Sequence, residues 1–367
     1  MGVFDQAATM GHEQVLFCND KITGLRAIIA IHDTTLGPAL GGLRMWNYES
    51  EEAALFDVLR LSRGMTYKAS ISDLNLGGGK AVIIGDPRTM KSEALFKTFG
   101  RFVNSLGGRY ITAEDVNIRV GDIETVATET RYVSGTASRR NGSGDPSPLT
   151  ALGVYHGIRA AVLHKLGKQK LENVRVAVQG CGAVGSHLAE LLVSDGAKVF
   201  VSDIDEAKLR SVRDRLMVEV IDHEKIHAFE VDVFAPCALG GGLNDKTIPE
   251  VRAKIVAGGA NNQLLDEARH VKALKQRSIL YCPDYVINAG GLMNVYQELR
   301  GYDASVVREK VGGIFDKLAL IFRAAEARDI PTLEAANQMA EDRIEAVRRV
   351  SGLRNTADSQ YWALSKA

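Results

Sequence analysis

One stretch constrains the fold of this chain more than any other. Val176-Ala177-Val178-Gln179 is a short apolar run with the pattern of a buried strand, and it passes directly into Gly180-Cys181-Gly182-Ala183-Val184-Gly185. Val184, Leu188, Leu191 and Leu192 follow at helical spacing, and a second apolar run, Val199 to Ser202, ends at Asp203. Strand, tight turn, helix and returning strand make a βαβ unit with parallel strands. The Gly-x-Gly-x-x-Gly spacing, with an acid 23 residues beyond Gly180, matches a dinucleotide-binding turn, in which the acid lies about 20 residues on. Gly180 turns the chain, Gly182 lets a pyrophosphate approach the helix N-terminus, and Gly185 permits close packing. The Asp203 carboxylate accepts from ribose hydroxyls and repels a 2′-phosphate, so NAD is expected over NADP. Lys208 and Arg210 lie near enough to weaken that exclusion.

The pattern around this unit is helix, strand, helix, strand from Thr150 onward, with strands expected at Val231 to Phe234 and Ile255 to Ala257. That alternation predicts an α/β fold with a doubly wound, Rossmann-type sheet. Ligands bind beyond the carboxyl ends of such strands, which places Cys237-Ala238, Asn261-Asn262 and Asn288 at the expected cofactor site. The Asn288 amide suits a nicotinamide carboxamide. With 367 residues the chain exceeds what one core usually serves. Ser134 to Pro148, rich in Gly, Ser, Asn and Pro, is the expected boundary and hinge. Residues 1–137, with about 330–367 packing back, are expected to form a mixed α/β domain. Residues 148–329 are expected to form the NAD-binding domain, with a cleft between the two.

In the first domain, Gln14 to Cys18 and Leu25 to Ile31 read as strands, and Leu36 to Gly42 as a bend too rich in breakers for regular structure. Ser50 with Glu51 and Glu52 starts a helix that Gly64 loosens near Lys68. Leu76-Gly77-Gly78-Gly79-Lys80 leads into a strand at Ala81 to Ile84. The glycines let the backbone pass close to a ligand or another element and deliver a lysine there. This is no phosphate loop, because Leu74 stands where the first glycine is required and Ala81 follows the lysine. Lys68 at a helix end and Asp115 after the strand Tyr110 to Ala113 are brought in by adjacent elements. Two lysines and a carboxylate suit a site that grips an acid and moves a proton.

These residues resemble a family over nearly the whole chain. Gly37-Pro38-Ala39-Leu40-Gly41-Gly42-Leu43-Arg44-Met45, Gly64-Met65-Thr66-Tyr67-Lys68, Gly77-Gly78-Gly79-Lys80 and Thr112-Ala113-Glu114-Asp115-Val116 resemble the catalytic domain of the glutamate/leucine/phenylalanine/valine dehydrogenases. Ala260-Asn261-Asn262-Gln263-Leu264 and Asn288-Ala289-Gly290-Gly291 agree. The resemblance implies NAD-dependent, reversible oxidative deamination of an amino acid to a 2-oxo acid and ammonia. It implies that Lys80 and Asp115 are catalytic, polarising water and shuttling a proton, and that Lys68 binds the α-carboxylate. Leu40, Gly41, Gly42, Met65, Ala113, Asn262, Leu292 and Val295 would line the substrate site. Thr150, Gly180, Cys181, Gly182, Ala183, Val184, Gly185, Asp203, Cys237, Ala238, Asn261 and Asn288 would hold the cofactor. Leu40 and Val295 stand where the glutamate-acting members have a lysine and a serine, so leucine and other branched-chain substrates are expected. Asn294 to Glu298 resembles the aromatic-acting members equally, which keeps phenylalanine and tryptophan in view. The family implies a homo-oligomer, octameric or dimeric.

A catalytically idle NAD-binding regulator is the alternative from another class, and the Lys68, Lys80, Asp115 set argues against it. His223-Glu224-Lys225-Ile226-His227 spells a zinc-protease motif, but the strand expected at Val231 leaves room for about two helical turns. No metal is expected. Lys+Arg and Asp+Glu are both 45, which gives nucleic acid and anionic membranes nothing to hold. The chain shows no membrane-length apolar run or signal-peptide pattern, and its four cysteines are scattered, so a cytoplasmic protein with reduced thiols is expected.

Overall fold

The computed structural model describes residues 2–136 and 144–350. Residues 137–143, the middle of the expected hinge, lie outside the described residues, as do 351–367. The chain divides into two compact units, each with its own six-stranded sheet. One contains described residues 2–136, 144, 295–302 and 340–350, and the other 145–294 and 303–339.

In the first unit the strands are β1 (Gln14–Asp20), β2 (Leu25–Asp33), β3 (Ala39–Leu40), β4 (Leu43–Trp46), β5 (Gly77–Ile84) and β6 (Tyr110–Ile111). They run β1-β2-β5-β3-β6, with β4 also paired to β5. β1, β2 and β5 are antiparallel neighbours, whereas β3 and β4 lie parallel to β5. Alternation along β2 and β5 separates two apolar layers. Ile28, Ala30 and Val82 pack on Leu55, Val58 and Leu59 of the helix Glu51–Ile71. Ala27, Ile29, Ile31, Ala81 and Ile83 face Phe96, Phe99 and Val103 of the helix Glu93–Ser105. A central sheet covered on both faces reads as continuous apolar runs, which β2 and β5 are.

Three local expectations are corrected. The helix started by Ser50, whose hydroxyl accepts from Ala53 N, runs through Gly64 to Ile71 instead of fraying there. A single glycine costs about 1 kcal/mol in a helix, which burial of the apolar face offsets. The breaker-rich bend contains β3, because Gly41 packs against the Gly79 carbonyl so closely that a Cβ would lie 1.6 Å from it. Glycine therefore serves strand approach here. Gly77, Gly78 and Gly79 likewise belong to β5 itself and do not precede it. A Cβ on Gly78 would sit 2.2 Å from Thr66 N, so the helix Glu51–Ile71 rests directly on this strand.

In the second unit β7 (Arg175–Gln179), β8 (Lys198–Ser202), β9 (Glu219–Val220), β10 (Val233–Pro236), β11 (Ile255–Val256) and β12 (Leu280–Tyr281) form a wholly parallel sheet. Its order is β12-β11-β10-β7-β8-β9, the doubly wound arrangement, with the order reversing between β7 and β10. The two expected α/β units are thus present. No helix among the described residues is long and apolar enough to cross a membrane.

Candidate active site

Strand periodicity builds the site in the first unit. Residues paired across strands share a face, as do residues two apart along one. Lys80 pairs with Ala30, and Arg44 with Val82, so both side chains project on the face that carries the helix Glu51–Ile71. Leu43 N–H donates to Ala113 O at 2.7 Å and Met45 N–H to Val116 O at 3.2 Å, so segment 113–116 runs beside β4. That brings Asp115 to both cations. Lys80 Nζ lies 2.9 Å and Arg44 Nε 3.0 Å from the same oxygen, Asp115 Oδ2. Arg44 Nη1 also reaches Asp57 Oδ2 at 2.9 Å, and Tyr48 OH donates to that oxygen at 2.8 Å.

The Lys80 side chain is 7% exposed and Asp115 21%. Burial alone raises the Asp115 carboxyl pKa, but the Lys80 charge and then that of Arg44 outweigh it and hold the group below the usual carboxylate range. Around Arg44, burial opposes the charge and Asp115 and Asp57 more than restore it. Sequence reasoning missed Arg44, Asp57 and Tyr48. The available signal was an arginine inside the otherwise apolar Leu43-Arg44-Met45-Trp46.

The remaining expected residues of this unit are spread around that cluster. Lys68 and Met65 lie half-buried in the last two turns of the helix Glu51–Ile71. Leu40, Gly41 and Gly42 are buried along β3 and its continuation, where Tyr110 OH donates to Gly41 O at 2.6 Å, and Ala113 is buried just past β6. A Cβ on Gly42 would lie 2.8 Å from Asp115 Cβ. Val295 accepts a hydrogen bond from Ser134 Oγ at 3.3 Å, within the same unit.

In the second unit Gln179, Ser202 and Pro236 end β7, β8 and β10 side by side. The glycine turn, Asp203 and Cys237-Ala238 therefore meet at one sheet edge, beside the reversal of strand order. Gly180 has φ +100°, and a Cβ on Gly185 would stand 1.9 Å from Gly180 O, so both positions demand glycine. A Cβ on Gly182 meets nothing within 4 Å, leaving open space over the N-terminus of the helix Ala183–Ser194. No side chain caps that helix, so its first N–H groups are available to an anion. These features fit a dinucleotide, with Ala183 and Val184 opening the helix.

Asp203 Oδ2 accepts from Cys181 N at 2.6 Å, so the acid expected to meet a ribose fixes the turn. Asn261 and Asn262 approach Gly240, where a Cβ would lie 2.6 Å from Asn261 O. Asn288 Nδ2 donates to Asn261 Oδ1 at 2.7 Å and to Gly259 O at 3.2 Å, which fixes the orientation of the amide. Thr150, early in the helix Ser147–Leu166, adjoins Gly291, and Leu292 is buried one residue further on. The zinc-protease spelling does not form its helix: only the 3-10 turn Ile226–Ala228 appears, and His227 contacts Glu250 at 2.7 Å.

A family model described as "Glu/Leu/Phe/Val dehydrogenase, dimerisation domain" matches residues 12–138. A second, "Glutamate/Leucine/Phenylalanine/Valine dehydrogenase", matches residues 142–207 and 202–352. The chain belongs to this dehydrogenase family. It is an amino acid dehydrogenase, an oxidoreductase of a family that works with nicotinamide dinucleotides. It is 52% identical over 349 residues to a leucine dehydrogenase from Geobacillus stearothermophilus, covering 95% of each chain. It is 50% identical over 349 residues to an L-tryptophan dehydrogenase from Nostoc punctiforme, covering 95% of this chain and 98% of that one. The crystal structure of L-tryptophan dehydrogenase from Nostoc punctiforme superposes with a TM-score of 0.84 at 48% identity, over 95% of this chain and all of that one.

Proposed function

We propose that the chain catalyses reversible, NAD-dependent oxidative deamination of L-leucine and other branched-chain L-amino acids to 2-oxo acids and ammonia. The observation that carries this reading is the buried Lys80–Asp115 pair on the helix-covered face of β5. Lys68 would hold the α-carboxylate. Asp115 would take the proton from the α-amino group, keeping the nitrogen lone pair available as Cα is oxidised. Lys80 would orient the water that attacks the imine carbon and stabilise the developing oxyanion. NAD, when bound, supplies the hydride acceptor. The uncapped helix at Gly182 would receive its pyrophosphate and Asp203 its ribose. Lys208 faces Asp205 at 3.5 Å and Arg210 faces Glu206 at 3.7 Å, so each has an acidic neighbour, which favours NAD over NADP.

Substrate choice follows from side chains without charge. Leu40, Met65, Ala113 and Val295 offer an α-amino acid only apolar surface. Such surface separates neighbouring aliphatic substrates by about 1–3 kcal/mol per methylene, so leucine, isoleucine and valine should all react. Near-equal identity to the leucine and tryptophan enzymes supports an aromatic substrate as the second reading. Phe17, Ile22 and Trp46 are 53%, 94% and 50% exposed on the unit whose family model is named for dimerisation, which supports a homo-oligomer, an octamer or a dimer. The four free cysteines suit a reducing cytoplasm.

The test is initial NADH formation at alkaline pH with leucine, isoleucine, valine, phenylalanine, tryptophan and glutamate in parallel. Preference for the three aliphatic substrates supports the reading. Preference for an aromatic substrate keeps the chemistry and replaces the pocket.

A further inference from the structure

Lys80 and Arg44 converge on one oxygen of Asp115, at 2.9 and 3.0 Å, and none of the described residues engages Oδ1. A carboxylate gripped through one oxygen presents the other. The Arg44 guanidinium is itself held at both ends, by Asp115 at Nε and by Asp57 at Nη1, and Tyr48 OH fixes the same Asp57 oxygen. A planar fork pinned between two carboxylates cannot rotate about either bond alone. Asp57 also meets Arg60 at 3.4 Å, so the strut runs from the helix Glu51–Ile71 through β4 to Asp115. Lys80 offers a single point of contact and fixes no orientation. Lys80, Arg44 and Arg60 together answer the two carboxylates, Asp115 and Asp57, so the cluster tolerates its burial.

We propose that Arg44 is a positioning residue, which holds the Asp115 carboxylate so that Oδ1 faces the reacting nitrogen. The inference rests on reading Asp115 as the proton carrier. In the deamination direction an N–H bond of the substrate breaks, its electron pair stays on nitrogen, and the proton forms an O–H bond at Oδ1. The return direction reverses that transfer. Without Arg44 the carboxylate can turn about its own axis, and proton transfer loses its alignment. Binding of the substrate carboxylate does not depend on that alignment.

The experiment measures kcat and KM in the full-length enzyme for Arg44→Ala, Arg44→Lys, Asp115→Asn and the Arg44→Ala/Asp115→Asn double variant, with NAD binding as the check of folding. Arg44→Ala is expected to lower kcat about 10- to 100-fold, as a misplacement near 1 Å does, with the amino acid KM within about 3-fold of wild type. Added guanidinium ion should restore part of the loss, and Arg44→Lys should fall short of wild type. In the Asp115→Asn background, removing Arg44 should change kcat less than about 2-fold, because the two act as one unit. A folded Arg44→Ala enzyme with wild-type kcat, or equal losses in both backgrounds, overturns the proposal. Asp115→Asn with wild-type kcat instead overturns the proton-carrier reading on which it rests. If Arg44→Ala does not fold, Asp57→Ala removes the far pin and is read by the same kcat, KM and background comparison. No loss of kcat there also overturns the proposal.

Discussion

A lysine in the middle of a buried strand is admissible only when its charge is answered, and at Lys80 the answer is Asp115. The same rule governs the two histidines behind the site. His12 Nε2 contacts Ser62 Oγ at 2.8 Å and His32 Nδ1 contacts Thr66 Oγ1 at 2.8 Å, so both rings lean on the helix that carries Met65 and Lys68. Burial and then the neighbouring His32 push the His12 pKa down to about 4, and burial lowers His32 as well. Both are therefore neutral in the folded protein where the unfolded chain, with histidine near ~6.5, already binds protons. By linkage the unfolded state gains stability as pH falls from about 6.5 toward 4. The urea midpoint is expected to drop across that window, and His12→Gln should flatten the drop. A wild-type midpoint independent of pH there would contradict the assignment. The Asp115 carboxylate, with its lowered pKa, adds a separate loss only at still lower pH, as it protonates.

At the scale of elements, long periodic segments were legible in the sequence, and of the two-residue strands β6 and β11 were expected from their apolar runs whereas β3, β9 and β12 were not. β1, β2, β7, β8 and the helix capped by Ser50 emerge where period, cap and apolar run agree. β3, β9 and β12 have two residues each, too few for any period, and form because a neighbouring strand offers a ladder. The glycines of 36–42 read as breakers, and those of 77–79 as a close approach to a ligand or another element, which leaves the neighbour unnamed. What they supply is missing Cβ atoms between β3, β5 and the helix Glu51–Ile71, which sequence spacing does not express. Lys80 and Asp115 were found because charge beside apolar runs stands out. Arg44 escaped because its partners Asp57 and Asp115 meet it only through the fold. The same helix is braced from far along the chain. Arg343 donates to Leu74 O at 3.0 Å, to Asn75 Oδ1 at 3.1 Å and to Ser70 O at 3.3 Å, while Ser70 Oγ donates to Ala340 O. Arg343→Ala leaves those carbonyls without their charged donor and is expected to cost about 1–3 kcal/mol in chemical denaturation. A change below about 0.5 kcal/mol would show that the brace is ornamental.

At the scale of the molecule, each unit carries one of the two candidate residue sets. The mixed sheet of the first unit fixes Lys80, Asp115 and Arg44 on one face, and the parallel sheet of the second gathers the glycine turn, Asp203 and the Asn261–Asn288 pair at its carboxyl edge. The second half was readable from one motif, because backbone geometry at a dinucleotide turn dictates residue type directly. In the first, Lys80 and Asp115 stood out beside apolar runs, and Arg44 needed tertiary contacts. Family membership joins the two halves in one enzyme. The most direct test of the account is the Lys80→Ala enzyme, assayed for leucine-dependent NADH formation and, separately, for NAD binding by fluorescence. The expected result is loss of turnover by about 10³-fold or more with NAD affinity unchanged, since the lysine belongs to the substrate-side unit. Turnover within 10-fold of wild type would contradict the assignment of the chemistry to Lys80.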